Sequence, residues 1–142
     1  MLVRCLYASR VVKPLTSGLL DSILQQSCKN NPLLGVTGLL CFTKNIFIQI
    51  IEGGRDEVNQ LFLTIARDDR HREVQLLAFD EVSQRHFSNW TMGQVDIDSI
   101  NMSLVLKYSE KPEINPFLCS GQATIALLND LVATGSVISR TR

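Results

Sequence analysis

Two apolar runs separated by three polar residues constrain this chain most. GVTGLLCF (35–42) and IFIQIIE (46–52) flank Thr43, Lys44 and Asn45, a spacing that predicts a β-hairpin. The alternate residues Ile46, Ile48 and Ile50 are as apolar as Phe47 and Ile51, so the sheet these strands join needs cover on both faces. Upstream, LVRCLYA (2–8) reads as a strand. It is followed by a loop with Pro14, Gly18 and a candidate helix cap at Thr16 or Ser17, and then by a helical stripe of Leu19, Leu20, Ile23 and Leu24. NNP (30–32) predicts the stop of that helix, because proline biases its predecessor out of the helical region. Downstream of Gly53 and Gly54, Val58, Leu61, Phe62, Ile65 and Ala66 recur at helical spacing to about Arg67. Strands are expected over 74–82 and 85–95, and helices over 103–108 and 123–132.

The order β-α-β-β-α-β-β with a helical tail predicts an α+β fold of the ferredoxin-like kind. Two right-handed crossovers joined by a hairpin put the first and third strands side by side at the sheet centre and both helices on one face. Residues 1–95 then form one domain and 96–142 a helical extension. Its Ile125, Leu128, Leu131 and Val132 either cover the second sheet face within the chain or build an oligomer contact, and the residues from about Gly135 are expected to lack order.

Hydrophobic residues at 45% and balanced charge, 14 basic against 14 acidic, fit a soluble globular chain. A net charge of zero gives no field to attract phosphate, and RDDRHRE (67–73) mixes both signs, so nucleic acid is not expected as a partner. Cys5, Cys28, Cys41 and Cys119 are widely spaced without a C-x-x-C pair, which indicates neither a zinc site nor a disulfide framework. No run approaches the roughly 18 apolar residues of a membrane span, and MLVRCLYASR lacks the apolar stretch of a signal peptide. The expected location is the cytoplasm.

Gln49 interrupts an otherwise apolar strand. Burying an unpaired amide costs roughly 1–3 kcal/mol, so the glutamine needs a partner. Strand alternation puts Val3, Cys5 and Tyr7 on one face and Phe47, Gln49 and Ile51 on one face; if both look toward the helices, Tyr7 is the neighbour. Asn31, Asp68, Arg70 and His71 gather further hydrogen-bonding groups toward one end of the sheet, though each has a plain structural role as cap or solvated turn. His71 and His86 lie on different segments with no nucleophile motif beside them, so an enzyme is not expected.

Five ordered pieces, RCLYAS, NNPLLGVTGLLCF, FIQIIEG, ARDDRH and RHFSNWTM, together resemble the BLUF family of blue-light sensors that use flavin. The tail, with LVLKYSE and a helical segment, looks like that of short stand-alone members. The resemblance implies a noncovalently held flavin, FAD with FMN or riboflavin as alternatives, between the two helices and flanked by Ile23 and Ile65. It implies that Asn31 contacts the pyrimidine edge, with Asn30 a second candidate, and that Asp68 and Arg70 lie near that edge and the ribityl chain, with His71 beside them. By the same resemblance Tyr7 gives an electron and a proton to the excited flavin and Gln49 is route and switch. Trp90 and Met92, two apart on the fifth strand and hence on one face, would approach Gln49 in alternative states. Output would pass to a signalling protein or to a homo-oligomer. The rival expectation is a non-photoactive ferredoxin-like binding domain.

Overall fold

A computed structural model describes residues 1–13 and 16–139. Pro14 of the first loop, the side chains of Ser17 and Cys28, and residues 140–142 lie outside the described part. The elements are β1 (Leu2–Val11), α1 (Ser17–Leu34), β2 (Thr37–Phe42), β3 (Ile46–Gly54), α2 (Arg55–Ala66), β4 (His71–Val82), β5 (Gly93–Asp96), a 3₁₀ turn at Ile97–Ser99, α3 (Met102–Leu106), α4 (Gly121–Ala133) and β6 (Ile138–Ser139). They build one sheet in the order β4-β1-β3-β2-β5-β6, with β1 and β3 adjacent in its interior and β4 at one edge. Among the described residues only β2 and β5 pair in parallel; the other ladders are antiparallel. This is the ferredoxin-like α+β fold that the element order predicts.

The sheet has two apolar surfaces. On one, Val3, Cys5, Leu40, Phe47 and Ile51 pack with Leu24 of α1 and Val58 of α2. On the other, Leu6, Ala8, Leu39, Cys41, Ile48 and Ile50 pack with Leu127, Leu128 and Leu131 of α4, with Ile125 and Val132 at its margin. The second face is therefore covered within the chain. A buried Leu or Ile contributes about 1.5–3 kcal/mol by leaving water, which is why a 13-residue helix can seal a sheet this apolar.

Three boundaries differ from the sequence expectation. α1 does not stop before Pro32 but continues to Leu34, because a proline in the last turn forfeits only one backbone bond. The stop is Gly35, whose left-handed φ of 68° lets its N–H reach the carbonyls of Asn31 and Pro32. At its start, Thr16 is the cap and accepts from the Leu19 N–H at 3.2 Å. The fourth strand begins at His71 rather than 74, so His71 is a strand residue and not part of the loop. At the other end, the tail is ordered enough for Gly93 and Gln94 of β5 to pair with Ser139 and Ile138.

The fifth strand is the largest correction: only Gly93–Asp96 is strand, and residues 85–92 are not. Their backbone is taken by other partners. Glu52 of β3, wholly buried, accepts from the N–H of His86 at 3.0 Å and of Phe87 at 2.7 Å. The same carboxylate pairs with Arg4 at 2.8 Å. Further along, the Trp90 carbonyl accepts from the Gly38 N–H at 3.1 Å. Trp90 and Met92 consequently do not share a face: Met92 belongs to the helix-side core and Trp90 packs on the α4 side. There the indole lies against Gly93, where any Cβ would meet Trp90, Leu39 and Val137 at 3.0 Å or less.

Burial pushes the thiols of Cys5 and Cys41 from an ordinary 9.0 to about 12. The Tyr7 phenol is also raised, first by burial and then by Cys5 and Asp68. The native protein keeps these protons at a pH where the unfolded chain has lost them. The stabilisation is whole below pH 9 and is lost as pH climbs from 9 toward 12, at about 1.4 kcal/mol per pH unit for each thiol. Urea midpoints measured against pH should hold up to about 9 and fall above it, and Cys41→Ala should make that fall shallower; an unchanged slope would contradict the account.

Candidate functional site

The central ladder decides the site. β1 and β3 pair with Tyr7 opposite Gln49, and β2 adds Leu40 on the far side of Gln49. All three side chains lie on the helix side of the sheet, where α1 and α2 leave a cleft above them. The Tyr7 hydroxyl donates to Gln49 Oε1. Gln49 Nε2 donates to Met92 Sδ at 3.3 Å. Both ends of the amide are thus engaged, the stronger bond on a phenol and the weaker on a thioether. Tyr7 is 3% and Gln49 4% exposed, so each bond acts in a medium of low dielectric.

The walls come from the two helices. Ile23 and Gln26 line the cleft from α1, one turn apart, and Leu61, Thr64 and Ile65 line it from α2. Phe47 joins them from β3. Phe62 meets the Tyr7 ring edge-on at 5.6 Å between centroids, which helps to fix the phenol.

Asn31 sits in the last turn of α1, buried, and donates one amide N–H to the Thr91 carbonyl at 3.2 Å. An amide carries two N–H groups and an acceptor oxygen, so capacity remains for a ligand. Asn30, one residue earlier, is exposed and lines the mouth. Opposite, the Asp68 carboxylate accepts from the Arg70 backbone N–H at 2.9 Å and from its Nε at 3.0 Å, while Arg70 Nη2 reaches Gln26 Oε1 at 3.0 Å. The bond to Arg70 holds the Asp68 carboxyl below the usual carboxylate range, and the partnership raises Arg70 in turn. A cation is thereby held at the rim between α1 and the loop before β4.

His71 is tied on both ring nitrogens, 2.7 Å from Ser9 Oγ and 2.5 Å from the Ile65 carbonyl. The carbonyl can only accept, so Nε2 carries a proton and donates to it. The ring therefore staples β4 to β1 and α2, with edge contacts to Tyr7 at 6.5 Å and Phe47 at 6.4 Å.

Tyr7, Ile23, Asn30, Asn31, Gln49, Ile65, Asp68, Arg70 and His71 all line this one cleft. Met92 reaches it through Gln49, and Trp90 lies on the opposite side of the sheet. Sequence reading passed over Gln26, Leu40, Phe47, Leu61 and Thr64. Helical spacing from Ile23 and Ile65, and alternation from Gln49, would have found most of them. It also passed over Glu52, whose burial no local pattern signals.

A planar heteroaromatic with apolar faces and one polar edge fits this donor set: aliphatic side chains on the two helices, amides at the deep end and a paired guanidinium at the rim. Among the described residues no group of three or more His, Cys, Asp or Glu could hold a metal ion. No described helix is long and apolar enough to cross a membrane.

Comparison with known proteins agrees with this chemistry. Residues 2–93 match the BLUF family, described as sensors of blue-light using FAD. The photoactivated adenylate cyclase subunit beta of Euglena longa is 29% identical over 87 residues, which are 61% of this chain and 10% of that protein. The chain spans about a tenth of the length of the cyclase subunits it matches. Among solved structures, BlsA in its photo-activated state superposes with a TM-score of 0.83 at 29% identity, covering 100% of this chain and 99% of that one. The BLUF protein BlrB in its dark state gives 0.76 at 29% identity, covering 94% and 96%. With its family match spanning most of the sequence, this chain belongs to the BLUF family of flavin-binding blue-light sensors.

Proposed function

We propose that this protein is a photoreceptor in which Tyr7 and Gln49 convert absorption of blue light into a changed hydrogen-bond arrangement, with output to a partner protein or a second copy in the cytoplasm. The observation that carries the reading is the pair of bonds on one amide: Tyr7 donates to Gln49 Oε1 while Gln49 Nε2 donates to Met92. Bound FAD supplies the chromophore and, once excited, the electron acceptor. The cleft residues do the rest.

Tyr7 holds its proton firmly because it is buried, so an electron leaves it readily only if the proton leaves too. The Gln49 carbonyl oxygen already accepts that proton's hydrogen bond. The O–H bond of Tyr7 would break toward Gln49 Oε1, which would take the proton while the electron left for the bound chromophore, and both would return to Tyr7 on charge recombination. The amide is left rotated or tautomerised. In the rotated form its oxygen faces Met92, a thioether that cannot donate. That bond is lost, and residues 90–92 are freed to respond. Asn31, already bonded to the Thr91 carbonyl, couples the ligand's polar edge to the same segment. Asp68 and Arg70 would orient the ligand at the rim, and His71 would keep Tyr7 and α2 in place.

The name of the Euglena longa relative joins such a domain to an adenylate cyclase. In this chain residues 96–142 hold α3 and α4 and would serve as the output extension.

The purified protein should be yellow and its flavin absorption should shift reversibly to the red under blue light. Tyr7→Phe and Gln49→Leu should each keep the flavin and abolish the shift; a retained shift in either would remove that residue from the mechanism. Asn31→Ala should weaken flavin retention roughly tenfold, the scale of one hydrogen bond to a buried polar edge, as read by dialysis against free flavin. Normal retention would end that assignment.

A further inference from the structure

Glu52 lies on the α4 side of β3, away from the cleft. No step of the proposed photochemistry uses it. Yet its carboxylate is 0% exposed, pairs with Arg4 and accepts from two successive backbone N–H groups, those of His86 and Phe87. Arg85 adds a bond to the Thr37 hydroxyl at 2.9 Å and one to the Glu52 backbone carbonyl at 3.3 Å. A buried ion pair is a weak source of stability, since apolar side chains of the same volume often do as well. What a carboxylate does that they cannot is fix two backbone donors at defined positions.

The segment so fixed is the one the photochemistry acts on. Three contacts follow along it: Gly38 N–H to the Trp90 carbonyl, Asn31 to the Thr91 carbonyl and Gln49 to Met92 Sδ. One strand therefore holds the β4–β5 connection from both sheet faces. Glu52 secures its start and Gln49 its end.

We propose that Glu52 is a positioning residue for the photocycle: by fixing residues 86–87 it keeps Met92 close enough to Gln49 to re-form their bond, and so sets how fast the dark arrangement returns. This rests on the photosensory reading above. When the Gln49 amide exchanges its ends, Met92 is released, but the start of its segment stays tethered. Return is then a short local closure rather than a search by a free loop. In Glu52→Gln, one carboxylate oxygen becomes an NH₂ that faces the donors of Arg4 and His86, or those of His86 and Phe87, and the tether loosens.

The test is the dark-recovery rate of the flavin absorption after a blue pulse, with amide hydrogen exchange of residues 86–92 in darkness. Glu52→Gln should keep flavin and the size of the red shift, recover more slowly by roughly threefold to tenfold, the net effect of losing about one ordinary hydrogen bond, and exchange faster over 86–92. In a Met92→Leu background, where no sulfur remains to reposition, the same substitution should leave recovery unchanged. If Glu52→Gln recovers at the parent rate, or slows recovery equally without Met92, the proposal falls. Should that variant fail to hold flavin, Arg85→Ala should show the same slowing to a smaller degree, and unaltered recovery there overturns the proposal too. A parent protein with no reversible shift overturns the photosensory reading and this inference with it; a normal parent with a normal Glu52→Gln overturns the inference alone.

Discussion

A phenol and a carboxamide meet at the centre of this molecule because two antiparallel strands pair in one particular register. Tyr7 stands opposite Gln49 on the β1–β3 ladder, and a slip of one residue would send either to the other face of the sheet. The register is fixed by the apolar alternation of both strands, whose two faces are buried by different partners: α1 and α2 on one side, α4 on the other. The geometry of the Tyr7–Gln49 pair is thus a by-product of core packing. It needs no dedicated scaffold.

The same strand carries a second polar residue on its opposite face, and the contrast between the two is instructive. Gln49 is neutral and its two ends are chemically different, so it can be satisfied in more than one way. Glu52 is charged, accepts from a cation and two backbone amides, and has one good arrangement. Releasing such a carboxylate would leave its charge uncompensated, at a cost of about 3–5 kcal/mol. A changeable contact and a fixed one therefore bound the short connection that ends in β5.

Much of this was legible in the sequence. The alternation of strands and helical stripes gave the fold, and strand parity within that strand order allowed Tyr7 and Gln49 to be neighbours. The family resemblance pointed to Ile23 and Ile65, and both line the cleft. Reading failed where tertiary partners override local pattern. Residues 85–95 have the composition of a strand, yet a carboxylate from β3 takes the N–H groups of His86 and Phe87, so period-two logic misplaced Trp90 relative to Met92. Pro32 looked like a terminator because its own chemistry is a stop signal, whereas Gly35 supplies the left-handed turn that ends the helix.

The sheet's outer margin has a bearing on how the protein behaves at high concentration. β4 runs 12 residues with its far side unpaired, and Leu76 and Phe79 are 48% and 37% exposed in its middle. A long, half-apolar border of this kind invites another chain to add on. Arg72 and Glu73 near one end and Asp80 and Glu81 near the other surround that apolar stretch with charge, so an incoming strand would have to bury ions to lengthen the ladder. Four charged side chains thus oppose strand addition along this margin.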